Sequence, residues 1–167
     1  MYYDNDKLQF KEEARKEHYD NSKIKIEREY INGERNGKGK EYNNGGKLIF
    51  DGEYLKGKKN GKGKEYFSSG ELKFDGEYLN EKRNGKGKAY NSNGKLIFDG
   101  EYLNGKKNGK GKEYYDGRLI FEGEYLNGKR WNGKGRGYYD NGKLKFECEY
   151  LEGKRSESKN LNCCIII

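Results

Sequence analysis

A five-residue motif, Phe-acid-Gly-Glu-Tyr, recurs along this chain at Phe50–Tyr54, Phe74–Tyr78, Phe98–Tyr102 and Phe121–Tyr125. Degenerate copies flank these four, at Ile26–Tyr30 and Phe146–Tyr150. A second element, Gly-Lys-Gly, starts at Gly37, Gly61, Gly85, Gly109 and Gly133, 24 residues apart each time. A fixed period of this length marks an architecture in which one small unit is stacked on copies of itself.

The unit reads as strand and turn. Leu48, Phe50, Gly52 and Tyr54 alternate with Ile49, Asp51, Glu53 and Leu55, the two-residue period of a half-buried β-strand. Asn44–Gly45–Gly46, Ser69–Gly70, Asn93–Gly94, Asp116–Gly117 and Asn141–Gly142 read as hairpin turns, because Asn and Gly accept the positive φ that tight hairpins require. Asn60–Gly61, Asn84–Gly85, Asn108–Gly109 and Asn132–Gly133 are expected at the opposite hairpin ends. The turn at Asp116 is one residue short and the segment holding Trp131 one residue long. Both changes are expected in loops, which tolerate such edits.

Composition tests this reading. Leu, Ile, Phe and Val supply only 28 of 167 residues, and the formal net charge is +8, a profile shared with disordered chains. Sixteen tyrosines and 26 glycines point the other way, since an aromatic ring buries a large area while a phenol keeps its hydroxyl in reach of a partner. One hairpin is unstable alone in water, but stacked hairpins cover one another. The expected fold is all-β: an elongated, solenoid-like array of β-hairpins forming a single antiparallel sheet. At two strands of ~4.8 Å per repeat it is a rod of about 50–60 Å. Phe50, Phe74, Phe98, Phe121, Tyr54, Tyr78, Tyr102 and Tyr125 are its expected core. In Gly37–Lys38–Gly39–Lys40–Glu41–Tyr42 the tyrosine shares parity with the lysines, and a glycine bulge would change that register.

The pattern Phe74–Asp75–Gly76–Glu77–Tyr78, then Lys82–Arg83–Asn84–Gly85–Lys86–Gly87 and Tyr90, resembles the MORN (membrane occupation and recognition nexus) repeat over about Ile24 to Tyr150. It departs at Glu81, where a loop glycine is usual, and at Arg28 and Cys148, which replace the strand glycine. The last two suggest terminal caps, where no neighbouring ring needs the space. Expected boundaries are a degenerate N-terminal repeat or cap over residues 1–25, five repeats over 26–145, a truncated cap over 146–155 and a flexible tail over 156–167. The resemblance implies a non-catalytic scaffold or adaptor, with membrane or phospholipid association in some members and self-association in others.

No residues suggest catalysis or a cofactor. His18, the only histidine, has no periodic partner, and the carboxylates recur as ladders, which suits a solvated sheet face rather than an active site. Gly57–Lys58–Lys59–Asn60–Gly61–Lys62–Gly63 approaches a phosphate-binding loop, but it is one residue short and lacks the Ser or Thr that would hold magnesium. Cys148, Cys163 and Cys164 offer neither zinc spacing nor a disulfide framework.

Two features point to an anionic partner. Lys38, Lys62, Lys86, Lys110 and Lys134 form one basic ladder, and Lys58, Lys59, Lys82, Arg83, Lys106, Lys107, Lys129 and Arg130 are expected along a loop edge. Mixed ladders mostly pair across strands, so a solvated face is the first reading; attraction to an anionic membrane, phosphoinositides included, is the second, and nucleic acid the weakest match, because 28 acidic residues dilute the field. The tail ends Cys163–Cys164–Ile165–Ile166–Ile167, with Cys164 four from the end before two aliphatic residues, the geometry of prenylation. Cys163 is the candidate for a second lipid, since one chain holds a protein only marginally. With a start, Met1–Tyr2–Tyr3–Asp4, unlike a signal peptide, a cytoplasmic protein at the cytosolic face of a membrane is expected. A soluble, self-associating scaffold is the alternative.

Overall fold

The computed structural model describes residues 12–31, 33–156 and 159–160. Its strands are β1 (Glu12–His18), β2 (Ile24–Ile31), β3 (Glu34–Tyr42), β4 (Leu48–Leu55), β5 (Lys58–Tyr66), β6 (Leu72–Leu79), β7 (Lys82–Tyr90), β8 (Leu96–Leu103), β9 (Lys106–Tyr115), β10 (Arg118–Leu126), β11 (Lys129–Tyr138), β12 (Leu144–Leu151), β13 (Lys154–Arg155) and β14 (Lys159–Asn160). They form one antiparallel sheet in sequence order from β1 to β13, and β14 also pairs with β12. The expected all-β hairpin array is therefore the observed fold. Contact between strands is almost wholly with the next strand in the chain, as a stacked repeat requires.

The core lies on one face of this single sheet. Phe50, Phe74, Phe98 and Phe121 are fully buried, and Tyr54, Tyr78, Tyr102 and Tyr125 nearly so; all eight expected core residues form one cluster, joined by Ala89. Each phenylalanine meets the tyrosine of its own repeat and that of the next. The nine rings from Tyr54 to Tyr150 make an unbroken edge-to-face chain with centroids 5.1–5.6 Å apart, the arrangement the ring quadrupole favours. Glycine makes the floor. A Cβ at Gly63 would stand 2.6 Å from Phe50 Cζ and 3.1 Å from Tyr78 Cε2, so the ring occupies the space the missing side chain leaves.

At the ends of the array the glycine substitutes fill this space themselves. Ile26 is too short to cover Gly39, and the buried Arg28 does so instead, its guanidinium 4.4 Å from the Tyr54 ring centroid. At the other end the buried Cys148 lies over Gly135, while Phe146 packs on Gly137. Both residues are core side chains that occupy the space a phenylalanine ring holds in the interior repeats.

The turns correct one sequence expectation. Asn60–Gly61, Asn84–Gly85, Asn108–Gly109 and Asn132–Gly133 are not hairpin ends but lie inside β5, β7, β9 and β11. The ends are the pairs Lys56–Gly57, Asn80–Glu81, Asn104–Gly105, Asn127–Gly128 and Glu152–Gly153, each with positive φ at both residues. That is the type I′ turn, whose twist matches the strands. Gly61 instead carries a bulge: between the pairs Gly52–Gly63 and Tyr54–Lys59, three residues of β5 face Glu53 alone. Gly61 takes φ 98°, and the Glu53 carboxylate accepts the Lys62 N–H at 2.9 Å.

The Trp131 insertion likewise lies within β11 and not in a loop. Here β10 pairs Phe121 with Gly135, where the other repeats pair Phe50 with Glu65 or Phe74 with Ala89. A strand that already bulges absorbs one more residue by a shift of register. The short turn at Asp116–Gly117 is a loop edit, as expected, and both its residues have positive φ.

Candidate interaction surface

Across the ring row runs a second, polar row, built on the residue of each odd strand that pairs with the phenylalanine. Glu41 and Glu65 stand opposite Phe50 and Phe74, and Glu113 opposite Phe98. Tyrosine hydroxyls donate to them: Tyr54 to Glu41 at 2.9 Å, Tyr78 to Glu65 at 2.6 Å and Tyr125 to Glu113 at 2.9 Å. A cation closes each site over the ring below. Lys59 lies 4.0 Å from the Phe50 centroid and 3.0 Å from Glu41. Arg83 lies 4.1 Å from Phe74 and grips Glu65 with two nitrogens, at 3.2 and 2.6 Å. Lys107 and Arg130 repeat this over Phe98 and Phe121, and both pair with Glu113. The phenylalanine is thus enclosed by glycine beneath, tyrosine edges beside and a cation above, which is how a single sheet buries a ring completely.

Lys59, Arg83, Lys107 and Arg130 are therefore not free on a loop edge, where the sequence placed them. They are half-buried and bound to carboxylates, because the adjoining phenylalanine and glutamate hold both the stem and the charge. Their partners Lys58, Lys82, Lys106 and Lys129 are exposed at the start of the same strands. The distinction is alternation: one residue faces the rings, its neighbour the other side.

The opposite face is a checkerboard of charge. Lys38, Lys62, Lys86, Lys110 and Lys134 are exposed and stand in register with Glu53, Glu77, Glu101, Glu124 and Glu149. One step further in, Lys64, Lys88 and Lys112 pair with Asp75, Asp99 and Glu122 at 3.4, 3.4 and 3.0 Å. The basic ladder is present, but each member faces an acid across the strand. Tyr114 lines a shallow hollow with Lys110 and Lys112 on this face, so the tyrosine of this segment does share the lysines' side. The glycine bulge precedes them and does not separate them.

Titration follows the enclosure. Burial pushes the Glu65 carboxyl up, but the Arg83 guanidinium and the Tyr78 hydroxyl outweigh it and hold the group below its ordinary value of 4.5. Burial and the neighbouring carboxylates drive Tyr54, Tyr78 and Tyr125 far above the usual phenol range. Tyr102 reaches only about 12, because Ala89 stands where its carboxylate would be. A carboxylate depressed in the folded state stabilises the fold above its unfolded value, and that contribution disappears as pH falls through the folded one. Glu65→Gln should therefore melt below the native protein at pH 7, with the gap closing from about pH 5 downward. A melting series from pH 7 to pH 3 checks this; a constant gap would refute the charge-based role.

Several of these partners escape a reading by motif. Glu41, Glu65 and Glu113 look like further members of a charge run, and only their parity with the Gly-Lys-Gly glycines places them on the ring side. Asn36, Asn84, Asn108 and Asn132 accept the N–H of Lys56, Asn104, Asn127 and Glu152 at 2.8–3.2 Å, stitching four of the type I′ turns to an odd strand of the preceding repeat, while at Asn80–Glu81 the Glu81 carboxylate accepts the Lys59 N–H. Cys163 and Cys164 lie outside the described residues.

Comparison with known families identifies the repeat. The MORN repeat model matches residues 29–47, 50–71 and 98–117, and the MORN repeat variant matches 83–104 and 131–152. A comparison with curated proteins matches none of them to this chain. Such repeats are generally non-catalytic. With matches spread over residues 29–152 and one hairpin stacked on the next, the chain belongs to the MORN repeat family and is a repeat scaffold or binding protein.

Proposed function

We propose that this protein is a non-catalytic scaffold or adaptor held at the cytosolic face of a membrane by a lipid on Cys164, presenting a long sheet surface to lipids and protein partners. The observation that carries the scaffold is the unbroken ring chain from Tyr54 to Tyr150, which couples each repeat from Phe50 onward to the next. The anchor is supported by the order Cys164–Ile165–Ile166–Ile167. Lys154, Arg155 and Lys159 precede it, and each cation near an anionic leaflet contributes about 1 kcal/mol. Cys163 supplies the second acyl site that stable anchoring needs. In eukaryotic cells the native chain is expected in the membrane fraction and Cys164→Ser in the soluble fraction. Mass spectrometry of the C-terminal peptide should show the added prenyl mass, and an unmodified terminus would remove the anchor.

A further inference from the structure

Where β4, β6, β8, β10 and β12 enter their type I′ turns stand Leu55, Leu79, Leu103, Leu126 and Leu151, all 41–71 % exposed. A sheet with so few aliphatic residues leaves one in solvent in every repeat. Successive members are separated by two strand spacings, about 10 Å. Directly across each turn, in register, is a lysine: Lys58, Lys82, Lys106, Lys129 and Lys154. All five are exposed, and among the described residues none makes an ion pair, whereas the next residue in four cases, Lys59, Arg83, Lys107 or Arg130, is held by a carboxylate. Two of these turns also carry a carboxylate: Glu81, which accepts the Lys59 N–H and keeps its charge, and the exposed Glu152. The edge is therefore a comb of five apolar side chains interleaved with five lysines outside any ion pair among the described residues, with Glu77, Glu101 and Glu124 lining the hollows beside Leu79, Leu103 and Leu126.

We propose that this leucine–lysine edge is the surface by which the protein lies on an anionic lipid bilayer. Leucines enter the boundary between headgroups and acyl chains, and lysines meet the lipid phosphates. The repetition favours this partner. A bilayer is uniform along its plane, so all five copies of the pair can meet it in the same way at once. The inference rests on the membrane reading above but not on Cys164, so the two can fail separately. The structure also provides a reporter, since Trp131, the only tryptophan, lines the hollow beside Leu126.

The test uses the full chain made in bacteria, without a prenyl group, and phosphatidylcholine vesicles with and without phosphatidylserine. Binding is expected only to the anionic vesicles, weakening with salt and accompanied by a blue shift of Trp131 emission. Replacing Leu79, Leu103 and Leu126 together by serine should lower partitioning about tenfold or more and abolish the blue shift. Replacing Lys82, Lys106 and Lys129 by glutamine should lower it similarly and flatten the salt dependence. The same change at Lys64, Lys88 and Lys112, which are paired on the checkerboard, should alter it less than about twofold. Circular dichroism of each variant verifies the fold. The proposal is overturned if native protein ignores anionic vesicles, if the leucine variant binds like the native chain, or if the checkerboard lysines matter equally. An acidic amphipathic peptide that binds this edge when vesicles do not would also overturn it, in favour of a protein partner.

Discussion

Phe98→Ala is expected to destabilise the array by about 4 kcal/mol, within the usual range for emptying a fully buried phenylalanine site. Four groups lose their contact at once. Tyr102 and Tyr125 lose the ring their edges meet, at 5.3 and 5.1 Å; Gly111 loses the ring above it; and Lys107 loses the face over which its ammonium sits at 4.4 Å. Nothing else is near enough to fill the space, because the sheet is one layer thick and no second layer can settle inward. In a one-dimensional array the damage also cuts the coupling between the two halves. Urea denaturation should show a lower midpoint and a broader transition than in the native chain, and an unchanged midpoint would contradict the ring-chain account.

Gly100→Ala should cost about 3 kcal/mol for the opposite reason, overpacking. Its φ is not in the left-handed region, so the backbone itself would accept alanine. A Cβ there would stand 2.6 Å from both Gly111 Cα and Lys110 O, and 2.8 Å from Phe98 Cζ. Two of these obstacles are backbone and cannot rotate away. Gly111 differs: the three atoms nearest a Cβ there all belong to rings, Phe98 Cζ at 2.6 Å, Phe98 Cε2 at 2.8 Å and Tyr125 Cε2 at 3.3 Å. Combining Phe98→Ala with Gly111→Ala should therefore recover 1 kcal/mol or more relative to the sum of the single changes, whereas Phe98→Ala should relieve Gly100→Ala much less. Denaturation of the single and double variants measures both couplings. Equal couplings would mean that the close glycine–backbone approach is not what excludes a side chain at Gly100.

How much of this could be read in advance depended on whether a residue's role was local or shared between strands. The eight core aromatics were legible, because the two-residue alternation within each block assigns Phe98 and Tyr102 to one side without knowledge of any neighbour. The Asp116–Gly117 turn was legible because its shape is set by the φ its own residues accept. Asn84–Gly85 was misread for an instructive reason. Asn-Gly is as suited to a bulge as to a turn, and the choice between them is made by the partner strand, where Glu77 faces the bulge and Asn80–Glu81 closes the hairpin. The Trp131 insertion was misplaced on the same grounds, since a register shift is a property of two strands and is invisible in one.

The basic residues divide in the same way. Lys82 and Arg83 are neighbours with the same charge, and their sequence places them together. In the sheet one is exposed beside Leu79 and the other is fixed between Glu65 and the Phe74 ring. By itself the sequence determined the period, the hairpin unit and the inward aromatic row, all of which follow from local alternation and the conformational range of glycine. The tertiary structure alone decided which cations are neutralised over the rings and which line an edge with leucine, because those pairings join residues up to 18 positions apart that meet only when one repeat is laid against the next.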